Sequence, residues 1–319
     1  MKNIFFLVLF VSFFNSFGQN YDALIKKADS CYNAKQYKKA TEFFTIAFEM
    51  NPDSKKNFYN AACASSLAND KKKSLKWLQF AIDNGFNSID HINSDADLNN
   101  IRKEKKFKKI IVNLQKSIDL IEADYDKPLQ KELLAIFKDD QDIRNKYVAA
   151  QKTYGYESKE VDSLGKIMLF KDSLNLTKVE RILKEKGWVG KDKIGQQANT
   201  TLFLVIQHAD LKTQQKYLPI MKDAVKQGKA DASSFAYLED RIALREGRRQ
   251  VYGSQMGRKP NTNQYYILPL EDPINVDKRR SEVGLTPLAE YVIKYDVVFD
   301  VEKYIKELPE LEELNKIKK

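Results

Sequence analysis

The amino-acid sequence predicts a mostly α-helical protein, with an N-terminal array of helical hairpins and an α-rich C-terminal domain that includes one small β-hairpin. Apolar residues recur at three- and four-residue spacing through most of the chain, which is the pattern of helices with one buried face. Only the stretch after Arg248 changes to short β-rich segments around a polar loop. A chain of 319 residues can bury a substantial core and would normally divide into two domains.

Residues 1–18 are predicted to be a secretory signal peptide. An apolar run from Ile4 to Phe14 follows a lysine, and small residues occupy the two cleavage-recognition positions before Gln19. The first cysteine, Cys31, lies too far from that cut for a lipid anchor, and no other stretch is long and apolar enough to cross a membrane. We therefore expect a protein exported to the periplasm or secreted, with no membrane span after processing.

The formal net charge of +10 comes from lysines scattered over helical faces. Such a distribution suits solubility or contact with anionic surfaces, and export makes nucleic acid an improbable partner, so we expect none. The two cysteines, Cys31 and Cys63, permit one disulfide. Both fall in small-residue positions of predicted helices, which favours packed free thiols.

Residues 19–118 carry a repeated helical pattern that resembles the tetratricopeptide repeat. In the first copy, Pro52 closes two helical patterns, and six further residues occupy the packing positions of that family: Leu24, Ala28, Tyr37, Ala40, Phe44 and Ala47. A second copy over residues 55–88 is weaker, and residues 95–116 resemble a degenerate helix pair that caps the array.

The resemblance implies a concave groove that binds a peptide or a protein. Its groove positions in this chain are, from the first repeat, Asp22, Ile25, Asp29, Tyr32 and Asn33 and, from the second, Lys56, Tyr59, Cys63, Ser66 and Leu67. They lack the Lys and Asn pattern by which some such repeats hold a C-terminal carboxylate. Binding of a partner and docking against the C-terminal domain both remain open, since so few repeats rarely stand alone.

After a linker at residues 119–127, Pro128 opens an α-rich domain that we expect to extend to residue 296, ahead of a solvated charged tail at 297–319. Asp140 and Arg144 fall inside the apolar stripe of its first helix, where they form either an internal salt bridge or the wall of a pocket. Further on, Thr177 and Glu180 have the spacing of a capping box and predict a helix start.

A helix between Ile194 and Asp210 carries His208 at the edge of its apolar stripe. Gln207 and Asp210 point to the other side, and about 160° separates His208 from Asp210 at helical geometry. This angle argues against a His–Asp dyad within the helix. A lone histidine beside an apolar stripe is more often a hydrogen-bonded core residue than a catalyst.

Seven ordered motifs in the C-terminal domain resemble a bacterial family known as domain of unknown function 6624, over about residues 129–291. The motifs are Asp140, Gln141 and Arg144; Asp172 and Asn175; Gly187 and Trp188; Gln207 to Asp210; Tyr237 to Arg241; Gln250 to Gln255; and Glu271 to Pro273 with Val276 to Arg280 and Val283 to Leu285. The resemblance implies a domain without naming an activity or a cofactor.

Two functions remain open, and we prefer a non-catalytic binding or scaffold module. In that hypothesis the repeats contact a protein or peptide, and the C-terminal domain holds a small polar or anionic ligand. The candidate pocket residues are Gln141, Asp172, Asn175, Gln207, Asp210, Tyr237, Gln250, Tyr252 and Gln255.

The alternative is an extracytoplasmic hydrolase or transferase. His208 would be the general acid or base, Asp140 or Asp240 its orienting carboxylate, and Arg144 or Arg241 the charge stabiliser. No complete serine-hydrolase, zinc-protease or phosphate-loop signature is present, and with a single histidine in the domain we predict no metal site. Convergence of these side chains in one pocket would favour this alternative or a small-ligand site.

Overall fold

The computed structural model describes residues 21–51, 57–259, 262 and 264–316; the predicted signal peptide lies outside them. Over these residues the fold is α-rich, with one two-stranded antiparallel sheet, which confirms the predicted fold class. The chain forms two compact units that divide between Ala123 and Asp124. None of the described helices is long and apolar enough to cross a membrane.

The first unit begins with two helical hairpins. The helices are α1 (residues 21–33), α2 (Tyr37–Met50), α3 (Phe58–Leu67) and α4 (Lys71–Asp83). Fully buried alanines, among them Ala40 and Ala61, let the helix backbones approach closely, and Phe44 and Leu78 fill the space between them. Ile25, which we expected on the groove surface, is buried in this core.

Three further helices complete the first unit: α5 (Ile89–Ser94), α6 (Asn99–Arg102) and α7 (Lys105–Ile121). Leu98, Ile101 and Phe107 enter the same core as the hairpins. Asn100 Nδ2 donates to the Ser66 carbonyl at 2.7 Å, which ties α6 to α3. Cys31 and Cys63 are both free thiols, as the sequence favoured.

The second unit is built on two antiparallel helices of 28 residues, α8 (Lys127–Tyr154) and α9 (Lys159–Lys186). The ion pairs Glu132–Arg181 at 2.6 Å and Arg144–Asp172 at 2.8 Å link them along their length. The capping box predicted at Thr177 is wrong. Thr177 lies inside α9 and its hydroxyl donates to the Ser173 carbonyl, because the apolar periodicity continues past it.

Four more helices pack against this pair: α10 (Lys191–Ile194), α11 (Gln196–His208), α12 (Leu211–Lys226) and α13 (Ala232–Arg245). Gly195, with φ of +78°, separates α10 from α11. The buried face of α11, including Leu202 and Ile206, packs in the core beside Leu133 of α8 and Ile182 of α9. This packing places the end of α11 beside the middle of α8.

The remaining chain forms a hairpin and three short or terminal helices around a separate core. They are β1 (Met256–Arg258), β2 (Tyr265–Ile267), α14 (Val276–Glu282), α15 (Leu288–Val292) and α16 (Val301–Lys316). Residues 301–316 were expected in a solvated tail, but Tyr304, Leu308 and Leu311 are buried. Their spacing gives α16 an apolar stripe. The Tyr304 hydroxyl donates to the Leu268 carbonyl at 2.8 Å.

Candidate functional site

Four charged or ionisable side chains from three helices meet in the second unit: Asp140 and Arg144 of α8, Asp172 of α9 and His208 of α11. His208 Nδ1 lies 3.0 Å from Asp140 Oδ1, and Arg144 Nη1 lies 3.0 Å from the same oxygen. Arg144 Nη2 donates to both Asp172 oxygens, at 2.8 and 2.9 Å. We call these four residues the charged cluster.

Helix register brings His208 to Asp140. One pair of contacts lies two turns earlier, where the Thr201 hydroxyl donates to the Leu133 carbonyl at 3.2 Å. Seven residues further along each helix lie His208 of α11 and Asp140 of α8. The two helices therefore run in the same direction where they touch. Of the two carboxylates that the sequence offered as partners of His208, the structure brings Asp140 to it.

The charged cluster is buried at its centre and reaches solvent at its rim. The Asp140 side chain is 2% exposed, whereas those of Arg144, Asp172 and His208 are 16–19% exposed. Burial alone would raise the pKa of Asp140, but the hydrogen bond and charge of His208 and the charge of Arg144 outweigh it and hold that pKa below its ordinary value. Asp140 therefore stays ionised at neutral pH.

The ionised Asp140 fixes the tautomer of neutral His208. A carboxylate can only accept hydrogen bonds, so Nδ1 of His208 must carry the proton that faces it. The lone pair of the neutral ring is then on Nε2, which bonds to none of the described residues. A histidine held in this way can accept or return a proton at Nε2.

Arg241 of α13 lies close enough to Arg144 of the charged cluster for their positive charges to interact. Its Nε is buried without a hydrogen-bond partner, and it forms no ion pair with any described residue. Burial, followed by the positive charges of Arg245 and Arg144, lowers the pKa of Arg241 to about 10. Two guanidinium groups close enough to repel each other create a place where an anion is favoured.

Two further buried amides on the same helices lack partners among the described residues. Asn175 is completely buried, and neither of its side-chain atoms makes a hydrogen bond. It lies one turn after Asp172, on the same face of α9. Gln207, next to His208, has a buried Oε1 without a partner. Gln141 Nε2, by contrast, donates to Asp140 at 2.7 Å.

The donor atoms of Asp140, Asp172 and His208 all lie within 4.8 Å of one another, a spacing that can hold a metal ion. The guanidinium of Arg144 already pairs with both carboxylates at this place. A metal ion would have to displace that fixed positive charge. The arrangement therefore suits an anion that binds beside the arginines better than a second cation.

Asp240, the other predicted partner of His208, serves a different network. It is completely buried and accepts hydrogen bonds from three backbone N–H groups, those of Val251 at 2.7 Å, Tyr252 at 2.9 Å and Ser254 at 2.9 Å. These bonds hold the segment before β1. The prediction that Asp240 orients a catalytic histidine is therefore wrong.

Several other predicted pocket residues also belong to this structural network. Gln250 is fully buried and bonds through its amide to the carbonyls of Gln255 and Leu268 and to the Gln255 N–H. Gln255 Nε2 donates to the Ser254 hydroxyl. Tyr252 bonds to Asp240 by its backbone, and Tyr237 lies 6.3 Å from the Tyr291 ring.

The sequence reasoning gave no role to Arg280, which is the largest fully buried side chain described. Its guanidinium donates to the carbonyls of Thr286 and Tyr252, both at 2.6 Å. Neighbouring Arg279 bonds to the Val251 carbonyl at 3.0 Å. The adjacent arginines at the end of the motif from Val276 to Arg280 were the sequence signal for this contact. Arg279 and Arg280 bind the carbonyl groups of Val251 and Tyr252, the same two residues from whose N–H groups Asp240 accepts hydrogen bonds.

Asp210 also lies outside the charged cluster, because it caps α12 through the Thr213 N–H at 2.7 Å. In the first unit, Asp22 is exposed, while Asp29, Tyr32 and Tyr59 line one cavity of about 470 Å³. Cys63, another predicted groove position, lines it too, together with three residues that the sequence reasoning did not select: His91, Asp95 and Asp97.

A model of the family of unknown function DUF6624 matches residues 127–302, more than half of the chain. The protein belongs to that family. The match covers every member of the charged cluster and Arg241, and it ends before most of α16. No curated protein and no solved structure matches the chain.

Proposed function

We propose that this protein is exported and that its C-terminal domain binds a small anionic ligand at Arg144, Arg241 and His208. The observation that carries the proposal is Arg241, a largely buried guanidinium with an unpartnered Nε and a second arginine beside it. Burying a charge without a partner is costly, and a lowered pKa is the mark of that cost. A bound anion would supply the missing acceptors and the missing charge.

The distribution of the other charges supports an anion over a neutral ligand. Asp140 and Asp172 together more than neutralise Arg144, so the attraction for an anion rests on Arg241, whose positive charge pairs with no described carboxylate. The unpartnered amide of Asn175 and the unpartnered Oε1 of Gln207 are further polar atoms on the same helices. A carboxylate or a phosphate can present two oxygens to the forked donors of an arginine.

The first unit would serve as the interaction module of this protein. Its two helical hairpins agree with the tetratricopeptide pattern in sequence, and we propose that they are repeats of that kind. The apolar run before Gln19 supports export, and the groove would then meet its partner in the periplasm or outside the cell.

The test is thermal melting of the mature protein with and without sodium phosphate or sodium succinate at constant ionic strength. Arg241→Gln should melt as high as wild type or higher without ligand, because it removes an unpaired buried charge, and it should lose the ligand-induced rise in Tm. Arg181→Gln is the matched control, since Arg181 is exposed and lies on α9.

Retention of the full anion-induced rise by Arg241→Gln would contradict the proposal. So would a melting temperature several degrees below wild type without any anion effect in either protein, because Arg241 would then be a structural residue. Arg181→Gln should keep the wild-type response, which excludes a general effect of net charge.

General acid–base catalysis by His208 is a second candidate function, supported by its hydrogen bond to the buried Asp140. That bond orients the ring and leaves Nε2 for the ligand, with the arginines placed to stabilise negative charge. A hydrolase or transferase acting on an anionic substrate would use this arrangement.

Hydrolysis of p-nitrophenyl phosphate and p-nitrophenyl acetate provides the first assay for catalysis. His208→Gln should lower kcat by about 10²-fold or more, because general acid–base catalysis is worth about that much, while Arg144 and Arg241 keep part of the anion-induced rise in Tm. Equal turnover by wild type and His208→Gln would leave ligand binding as the function of the domain.

A further inference from the structure

The cavity of the first unit carries a set of metal ligands that is independent of the anion site. Cys63 Sγ lies 3.5 Å from Asp95 Oδ2, and the donor atoms of Cys63, Asp95 and Asp97 all lie within 4.8 Å of one another. His91 Nε2 lies 3.9 Å from the same Asp95 oxygen. The residues come from α3, from α5 and from the turn that follows it.

The spacing of these donors fits a tetrahedral ion. Bond lengths of about 2.3 Å to sulfur and about 2.0 Å to nitrogen or oxygen place tetrahedral ligands roughly 3.2 to 3.8 Å apart. The Cys63–Asp95 separation falls in that range, and the His91–Asp95 separation lies just beyond it. His91 lies outside the group of donors that are within 4.8 Å of one another, so the ring of this half-exposed residue would have to turn towards the cavity to become the fourth ligand.

The negative charge of the cavity also favours the binding of a cation. Three carboxylates line it, those of Asp29, Asp95 and Asp97, and none of its described lining residues is Lys or Arg. Arg102 bonds to the Asp95 backbone carbonyl and to Asn99 but pairs with neither carboxylate. This is unusual in a chain whose net charge is +10. Like charges gathered without a partner repel one another until a cation binds.

Two tyrosines that also line the cavity hold the carboxylates in place. The Tyr59 hydroxyl donates to Asp95 Oδ2 at 2.8 Å, and the Tyr32 hydroxyl donates to Asp97 Oδ2. Metal-ligating carboxylates are commonly oriented by such hydrogen bonds. Asp95 Oδ1 is fixed as well, because it accepts from the Asp97 N–H at 3.0 Å.

We propose that Cys63, Asp95, Asp97 and His91 bind one divalent transition-metal ion, best matched by zinc, in the cavity of the first unit. A thiol and an imidazole favour zinc over calcium or magnesium, which prefer oxygen alone. They also favour a metal over an organic ammonium group, which would need only the carboxylates. Metal binding converts the Cys63 thiol to a thiolate and releases its proton to solvent.

The pH dependence of metal affinity follows from that proton. Burial, together with the charge of Asp95, raises the pKa of the Cys63 thiol, so the free protein keeps the proton. Zinc affinity should therefore rise with pH. Calorimetry in buffers of different ionisation enthalpy should count about one proton released per ion bound.

Cobalt substitution in the untagged mature protein is the direct test. Co²⁺ should bind one per chain and give a thiolate-to-cobalt absorption band in the near ultraviolet, which zinc then abolishes by displacement. Cys63→Ser should lose the band. Cys31→Ser, the matched control in the same unit, should keep it, since Cys31 does not line the cavity.

Zinc affinity measured by calorimetry gives the second readout. Asp97→Asn, a nearly isosteric change that serves even where Cys63→Ser fails to fold, should weaken binding by roughly tenfold or more. Absence of the thiolate band in wild type would overturn the proposal. Retention of the band by Cys63→Ser, or of wild-type zinc affinity by a folded Asp97→Asn, would overturn it too.

Discussion

Asp240 and Asp210 are both aspartates that accept backbone hydrogen bonds, but we expect them to contribute very differently to the free energy of unfolding. Asp240 is buried and receives three backbone N–H groups, whereas Asp210 is an exposed cap that receives one. Asp240→Asn places an amide group against one of these donors, and we expect it to lower the free energy of unfolding by about 1–3 kcal/mol. Asp210→Asn should change it by only a few tenths, since Asn caps helices as well as Asp.

Urea unfolding of the two variants against wild type measures that difference. Equal effects at both positions would contradict the structural role assigned to Asp240.

The lowered pKa of Asp140 predicts how the stability of the protein depends on pH. Its pKa is depressed below the ordinary 3.8, so its contribution to stability is present above that pH and is lost as pH falls through the folded-state pKa. Wild type should exceed Asp140→Asn in stability at about pH 7, and the gap should shrink towards about pH 3. Urea titrations at several pH values test this, and a gap independent of pH would refute it.

Sequence periodicity could place single residues on helix faces but could not pair them over long distances. It located Asp140 and Arg144 on one face, and these two residues do form an ion pair. The bond from His208 to Asp140 joins residues 68 positions apart and depends on how α11 packs on α8. No local sequence pattern encodes the register of α11 on α8. Asp240 was therefore as good a candidate as Asp140 for the partner of His208.

The segment between α13 and β1 depends on Gly253. Its φ is +69°, and a Cβ there would lie 3.0 and 3.1 Å from the two methyl carbons of Leu288. Gly253→Ala should therefore combine backbone strain of about 1–2 kcal/mol with an overpacking cost of about 1–3 kcal/mol.

Gly228→Ala is the matched control for this prediction. Gly228 has the same φ of +69°, but no atom lies within 4 Å of its added Cβ. The difference between the two variants in thermal or urea unfolding isolates the Leu288 contact. Equal destabilisation would show that Leu288 moves away without cost.

Element boundaries were predictable where glycine or proline sets them and less so elsewhere. Pro128 opens α8 and Gly187 ends α9, as the sequence indicated. The Thr177 capping spacing was misleading, because a polar pair on the surface of a long helix has the same spacing. Helix α16 was missed because its charged residues hide a narrow apolar stripe, whose partner surface exists only in the folded unit.

Each unit of the molecule carries its own core and its own tryptophan. Trp77 is buried in the first unit and Trp188 in the second. Single-tryptophan variants, Trp188→Phe and Trp77→Phe, should thus report the unfolding of each unit by fluorescence. We expect phosphate to raise the transition seen through Trp188 and leave that seen through Trp77 unchanged. An equal rise in both would mean that the chain unfolds as one cooperative body.

Division into two units was foreseeable from length and from the change of pattern near Pro128. The two possible sites were not, because each gathers side chains from several elements. A motif search reads neighbours along the chain, whereas the donor set around Cys63 and the charged cluster are neighbours only after folding.

Adjacent residues of α13 face two different networks: Asp240 holds the segment before β1, and Arg241 lies beside the charged cluster. Each helical residue turns the chain by about 100°, so inserting or deleting a single residue upstream in α13 would rotate both side chains away from their partners and break both networks together. A point substitution at Asp240 or Arg241 disturbs only one of the two networks. Change of length in this helix should therefore be tolerated far less than change of composition, and natural variants of the family should preserve its register.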